Sequence, residues 1–183
     1  MNARIISFEE PDRFITGTVG EPGERTFFLQ VSEGPRLISV SLEKAQVQAL
    51  AERLTLILKE LRQSNSNLKI AALPRDDRPL DTPIEEEFRV GVIGLAVDSQ
   101  SSHIQIDLQA VRENIGLSGD SSEQDDLNLD QDILRIRISP SLATAFTKRA
   151  QSVVDAGRQP CPFCGGPIDT RGHLCPRANG YRR

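Results

Sequence analysis

Residues 133–140, Ile-Leu-Arg-Ile-Arg-Ile-Ser-Pro, predict a strand that passes directly into a helix. The aliphatic side chains alternate with Arg135 and Arg137, so one face of the strand is expected to be buried and the other solvated. Ser139 is a favourable helix N-cap, and Pro140 suits the first helical position because no backbone N–H is needed there. The chain is therefore expected to build units in which a helix follows its last strand without a loop.

The same pattern extends outward from this stretch in both directions. Strands at 88–97 and 103–109 make residues 84–157 a β-β-β-α unit, whose helix ends near Gly157. In residues 1–64 the apolar patterns predict an amphipathic helix capped by Ser41 and preceded by strands: strands 4–8, 12–19, 25–32 and 37–42, and helix 43–62.

The two halves, residues 1–64 and 84–157, resemble each other. Arg-Phe-Ile-Thr-Gly-Thr-Val-Gly at 13–20 is similar to Phe-Arg-Val-Gly-Val-Ile-Gly-Leu at 88–95, and apolar positions of the two helices match at a constant offset of 96 residues. Either the chain contains an internal duplication, or two hairpin-plus-helix stretches simply share their periods. The predicted fold class is α+β: two β-β-β-α halves in a mainly antiparallel sheet, with two long helices packed on one face of a body that spans residues 1–157.

Composition limits the class of protein. The chain has 183 residues, is 38% hydrophobic, carries a formal net charge of −4 and lacks an apolar run long enough to cross a membrane. The N-terminus has no secretory pattern, which predicts a cytoplasmic protein whose three cysteines are not a disulfide framework. No phosphate-binding loop, dinucleotide fingerprint or nucleophile elbow occurs, so no catalytic residue is predicted.

Residues 158–183 differ from the body and predict a zinc knuckle. Cys161, Cys164, His173 and Cys175 fall within 15 residues, and glycines at 165 and 166 allow positive φ angles that aim N–H groups at the sulfurs. Three thiolates and one imidazole form a closed tetrahedral set, so zinc would be structural. The alternatives are a redox Cys-x-x-Cys pair and a tail of free thiols.

The tail also carries a family resemblance. The runs Cys-Pro-Phe-Cys-Gly-Gly-Pro-Ile-Asp at 161–169 and Gly-His-Leu-Cys-Pro-Arg-Ala-Asn-Gly-Tyr-Arg-Arg at 172–183 are similar to the C-terminus of domain-of-unknown-function family 3090, an uncharacterised bacterial family common in actinobacteria. Stretches at 11–14, 23–30 and 86–91 resemble it too, so the resemblance spans nearly the whole chain. It implies zinc ligands at 161, 164, 173 and 175 and implies no activity.

Three arginines are candidates for contact with an anion or an acidic partner. Arg135 and Arg137 share a strand face and Arg89 lies on another strand; the alternative is an exposed face on which they pair with residues such as Asp107. An enzyme or ligand-binding protein would need a pocket between the sheet halves, lined by these arginines or by Glu87.

Charge is distributed unevenly along the chain. The tail has five arginines and one aspartate, a net charge of +4, which leaves −8 for the rest, where residues 117–132 are expected to form a solvated or disordered acidic loop. A basic zinc module could bind nucleic acid, but the scarcity of aromatic residues argues against base stacking. We expect a non-enzymatic, cytoplasmic interaction or adaptor protein whose partner is another protein, with nucleic-acid binding through the tail and a ligand pocket as alternatives.

Overall fold

The computed structural model describes residues 3–21, 23–65, 68–74, 76–111, 131–157, 161–166, 168 and 172–177. Within them, seven strands and two helices follow one another along the chain: β1 (Ile5–Phe8), β2 (Arg13–Val19), β3 (Thr26–Glu33), β4 (Arg36–Leu42), α1 (Lys44–Ser64), β5 (Glu86–Val97), β6 (Ile104–Ala110), β7 (Ile133–Ile138) and α2 (Pro140–Asp155). Nearly all of the predicted acidic loop, residues 117–132, lies outside the described residues.

All seven strands form one sheet in the order β1-β7-β6-β5-β4-β3-β2. Strands β2, β3 and β4 are an antiparallel meander followed by α1, and β5, β6 and β7 are a second meander followed by α2. The two meanders join through a parallel pair, β4 and β5, whose register shifts between Ser39 and Ser41. The predicted α+β class with two β-β-β-α halves is confirmed, whereas their origin by duplication stays a prediction.

The first strand, β1, belongs to neither of the two three-stranded meanders. β1 leaves its own half and pairs in parallel with β7, with Ile5 opposite Ile133. It also contacts β3, which belongs to the first meander. Arg36 of β4 adds to this contact, because its guanidinium lies 4.3 Å above the Phe8 ring and donates to the Ser7 carbonyl at 2.9 Å. β1 therefore links the two meanders a second time, besides the β4–β5 pair.

One hydrophobic core lies between the sheet and the helices. The apolar faces of α1 and α2 pack on the alternating aliphatic residues of the strands, and the two helices contact each other. Helix α2 also covers β2, the edge strand of the other half: Phe146 stacks on Phe14 with ring centroids 4.4 Å apart, and Arg149 donates to the Thr16 carbonyl at 2.7 Å. This contact satisfies an acceptor on an otherwise open sheet edge.

The N-cap predicted for α2 is confirmed, and the N-cap predicted for α1 is wrong. The Ser139 hydroxyl accepts a hydrogen bond from the Leu142 N–H at 3.2 Å, as predicted for the start of α2. The prediction that Ser41 caps α1 is wrong, because Ser41 belongs to β4 and donates to Glu86 at 2.8 Å. Glu43 is the N-cap, and its reciprocal hydrogen bonds with Gln46 form a capping box.

A connector between α1 and β5 covers the other face of β2 and β3. Arg13 in β2, whose side chain is 7% exposed, donates to Asp76 at 2.5 Å and to Asp81 at 2.7 Å. Beside these ion pairs, Leu80 packs with Ile15 and Phe28 in a second apolar cluster. The connector is thus held to the sheet by buried charge on one side and by apolar packing on the other.

Candidate metal centre

The four predicted ligands converge in the structure. One ligand atom from each of Cys161, Cys164, His173 and Cys175 lies within 4.8 Å of all the others. The Cys161 and Cys175 sulfurs are 3.8 Å apart, and the Cys164 sulfur is 3.2 Å from His173 Nε2. Around one tetrahedral ion with metal–sulfur bonds of ~2.3 Å, two sulfurs would lie about 3.8 Å apart and a sulfur and a nitrogen about 3.5 Å apart. The spacing therefore fits a single ion held by four protein atoms.

A tight turn places the first two sulfurs. The Cys161 N–H donates to the Gly166 carbonyl at 2.7 Å, and the Gly165 N–H donates to the Cys161 carbonyl at 2.8 Å. Gly165 has φ +72°, as predicted, and a larger residue would be strained there. Gly166 does not use the positive φ that a glycine allows. Its Cβ position would meet the Cys164 sulfur at an ordinary contact distance of 3.5 Å, so only the first glycine is required by the backbone.

Backbone donors, burial and neighbouring sulfurs together shift the pKa values of Cys161 and Cys164, in opposite directions. The Cys164 N–H donates to the Cys161 sulfur and lowers the pKa of that thiol, against the opposing effect of burial. The Gly166 N–H likewise favours the Cys164 thiolate. Burial and the neighbouring Cys175 and Cys161 sulfurs outweigh it, so the pKa of Cys164 is raised. A cation at the centre of the four ligands would remove this repulsion between sulfurs, because it favours the thiolate form of each.

Two large apolar side chains are exposed among the described residues of the knuckle. Phe163 lies between the first two ligands and is 63% exposed, and Leu174 lies between the last two and is 86% exposed. Cys161 and Cys175, in contrast, are buried. Arg177 donates to the Phe163 carbonyl at 3.2 Å and ties the end of the described tail to the turn. The ligands thus face inward while two large hydrophobic side chains face outward.

The three arginines predicted as partner contacts have separate carboxylate partners. Arg135 pairs with Asp107 at 2.8 Å, and Arg137 lies 3.4 Å from Asp98, whose pKa is lowered to about 2 by the Ser101 hydroxyl and the Gln100 N–H. Arg89 pairs with Glu43 at the start of α1. Their contact with an anion or an acidic partner stays a prediction.

Glu87, the other residue predicted for a pocket between the halves, pairs with Arg4 near β1. A cavity does exist between the halves, beside β4 and β5, but Glu86 lines it instead of Glu87. Of the predicted pocket residues, only Arg89 lines this cavity.

Sequence reasoning missed two groups of polar residues. One surrounds Arg13, where Asp76 also lies 3.8 Å from Arg149, and the other lines the cavity beside Arg25 and Lys44. Their members come from distant parts of the chain, so no local spacing reveals them. The group around Arg13 did have a signal in the sequence, namely an arginine at the start of an apolar strand and a connector rich in aspartate.

The protein is thus an α+β protein with a C-terminal Cys3His cluster that could bind a metal ion. The chain belongs to the family described as "Protein of unknown function (DUF3090)", whose model matches residues 6–175. The match begins inside β1 and covers the other strands, both helices and the four ligand positions. No curated protein and no solved structure matches the chain significantly. Within the described residues, no helix is long and apolar enough to cross a membrane.

Proposed function

We propose that this protein is a non-enzymatic, cytoplasmic adaptor that binds another protein through a zinc-stabilised knuckle. The observation that carries the proposal is the exposure of Phe163 and Leu174, each placed between two ligand residues. An aromatic or aliphatic side chain that is held rigidly and enters a pocket of the partner can anchor a protein interface. The knuckle would therefore act as the contact surface and the body as its carrier.

Zinc is the proposed occupant of the cluster. A convergent set of three thiolates and one imidazole is typical of structural zinc. Four protein ligands leave no position for a substrate or an activated water, which supports a structural role. The metal would hold Phe163 and Leu174 in place, because the short tail has too few apolar residues to fold on its own.

Charge suggests the chemistry of the partner. Residues 158–183 carry a net charge of +4, so we expect a partner surface with an apolar pocket rimmed by acidic side chains. Rim charges mainly raise the association rate, whereas the buried apolar anchors set the lifetime of the complex. Binding should therefore weaken moderately with salt and strongly on removal of the anchors.

A capture experiment with matched variants tests the proposal. Zinc-loaded protein on beads is exposed to nuclease-treated native cytoplasm, and the wild type is compared with a Phe163→Ser/Leu174→Ser variant. The control is Val92→Ser/Val97→Ser, which removes two exposed apolar side chains from β5. We expect a defined partner to bind the wild type and the control equally, at one zinc per chain in all three proteins, and to be lost with the knuckle variant.

Two outcomes would contradict the adaptor function. Equal capture by the wild type and the knuckle variant would show that the apolar surface is not the contact. Nucleic acid retained without nuclease, with a steep salt dependence that disappears when residues 158–183 are removed, would favour the nucleic-acid alternative.

A further inference from the structure

Two neighbouring cavities lie between helix α2 and the connector that joins α1 to β5. The inner cavity has a volume of about 220 Å³ and reaches the start of β2, whereas the outer cavity has a volume of about 350 Å³ and lies beside Thr144 and Lys148 of α2. Leu73, Pro74 and Ala145 line both cavities, so a single elongated molecule can contact both of them.

The walls of both cavities are mainly apolar. Phe14, Ile15 and Leu142 also line the inner cavity, and Ala72 lines the outer one. Leu73 is 45% exposed although it is a large aliphatic residue. Concave apolar surface with few polar groups is typical of ligand sites, and an exposed aliphatic side chain at its border is stabilised when a ligand covers it. The walls therefore suit a hydrocarbon group.

The charged groups of the inner cavity balance one another. Arg13 pairs with Asp76 at 2.5 Å, and Arg149 lies 3.8 Å from the same carboxylate. Asp12 accepts a hydrogen bond from the Gly34 N–H at 2.7 Å. The described lining of this cavity thus has two cations and two carboxylates, so its charge does not favour an ion of either sign. An uncharged part of a ligand fits it best.

The outer cavity carries a different charge. Lys148 is its one charged lining residue among those that the structure describes. This residue is exposed, and no ion pair or hydrogen bond joins its side chain to another residue of the described ranges. Thr144, the other polar wall residue, donates its hydroxyl to the Pro140 carbonyl at 2.8 Å and brings no charge. An ammonium beside apolar surface attracts an anionic group whose own chain is apolar.

We propose that the two cavities bind a medium-chain fatty acid, with its alkyl chain in the inner cavity and its carboxylate at Lys148. The chain would lie against Leu73 and Ala145, which line both cavities. Burial of methylene groups would supply most of the affinity, and the ammonium would select the charge of the headgroup. This ligand site is separate from the knuckle and goes beyond the proposed adaptor function.

Titration with octanoate tests the site, with octanol as a neutral molecule of the same chain length. Full-length, zinc-loaded protein is followed by ¹H–¹⁵N NMR at constant pH and ionic strength. We expect saturable shifts from both molecules, confined to the surroundings of residues 12–15, 72–74 and 142–149. Lys148→Gln should raise the dissociation constant of octanoate about threefold and leave that of octanol unchanged, because only the carboxylate meets the ammonium. Lys59→Gln, an equal charge change at an exposed position on α1, should change neither constant.

A variant that fills the space separates binding in the cavities from contact with an outer surface. Ala145→Leu places a larger side chain beside both cavities on a helix that tolerates leucine, so it should weaken octanoate and octanol alike by more than about tenfold. Ala49→Leu, the same change at an exposed position on α1, should weaken neither. The proposal is overturned if octanoate gives no saturable shifts near the cavities, if Lys148→Gln affects the two molecules equally, or if Ala145→Leu binds them as the wild type does.

Discussion

Cys164 illustrates how single residues in the tail depend on a metal. Its sulfur is 3.2 Å from His173 Nε2, so a Cys164→Ser variant loses one of four ligands. We expect the wild type to hold one zinc per chain and the variant much less than one, with the tail unfolded because the metal supplies its folding free energy. Elemental analysis and the dispersion of NMR signals from residues 161–177 measure both effects. The body should melt as before.

The neighbouring Phe163→Ser change is the matched control for metal loss. Phe163 lies beside the ligand and is exposed, so its replacement should leave the zinc content at one per chain. A tail that keeps its dispersed signals with the metal demonstrably removed would contradict the assignment of a structural zinc.

Asp76 makes stability depend on pH at the sheet edge. Its hydrogen bond with Arg13 holds the pKa of the carboxyl well below the ordinary value of about 3.9. The folded state therefore binds this proton more weakly than the unfolded state, so the stabilisation is complete above pH ~4 and is lost as pH falls below it. Asp76→Asn should lower the free energy of unfolding at pH 7 by about 2 kcal/mol, because Arg13 keeps Asp81 but loses its closest carboxylate.

Urea unfolding at pH 7 and at pH 3 measures this effect. The difference between wild type and Asp76→Asn should be smaller at pH 3 than at pH 7. Glu85→Gln, an exposed change near the same connector, should show no difference at either pH. An equal loss in the two variants would refute the role of the ion pair.

At the level of elements, Gly17 controls how the connector packs on β2. A Cβ at this position would lie 2.8 Å from Leu80 Cγ, so Gly17→Ala should destabilise the protein by about 1–2 kcal/mol through overpacking. Leu80→Ala alone should cost about 2 kcal/mol, since Leu80 is buried in the second cluster. The double variant should lose less than the sum, because the alanine at 17 then fills space that Leu80 leaves. Additive losses in urea unfolding would show that the two positions do not share this contact.

The elements show which features the sequence could predict. Alternation of apolar residues placed the strands and helices within a few residues, because each pattern reflects one buried face of one element. The four ligands could also be predicted, because they lie close together in the sequence and their spacing is a local pattern. The cap at Ser41 failed because both Ser41 and Glu43 can accept the first N–H groups of a helix, and tertiary pairing of β4 decided between them. The parallel pairing of β1 and the cavity with Arg25 depend on residues far apart in the chain, which no local pattern records.

At the scale of the whole molecule, we expect the stability of the body to be independent of the tail. The residues of the main core and of the second cluster lie between positions 6 and 154, and the buried cysteines of the knuckle belong to neither cluster. Removal of residues 158–183 should therefore change the melting temperature of the body by less than about 3 °C. Calorimetry of the truncated and full-length proteins measures this, with a chelator-treated full-length sample as the control. A fall of about 10 °C or more would show that the knuckle packs on the body.

The placement of β1 has a consequence for synthesis on the ribosome. Ile5 pairs with Ile133, so β1 must wait for β7, the last strand of the sheet in chain order. At translation rates of about 5–20 residues per second, that delay is roughly 6–25 s. During it, Phe8, which is fully buried in the finished protein, has no strand to join and is a natural target for a chaperone that captures nascent chains. Ribosomes stalled before residue 133 should therefore carry chains in which β1 is open to proteases, and release of the full chain should protect it.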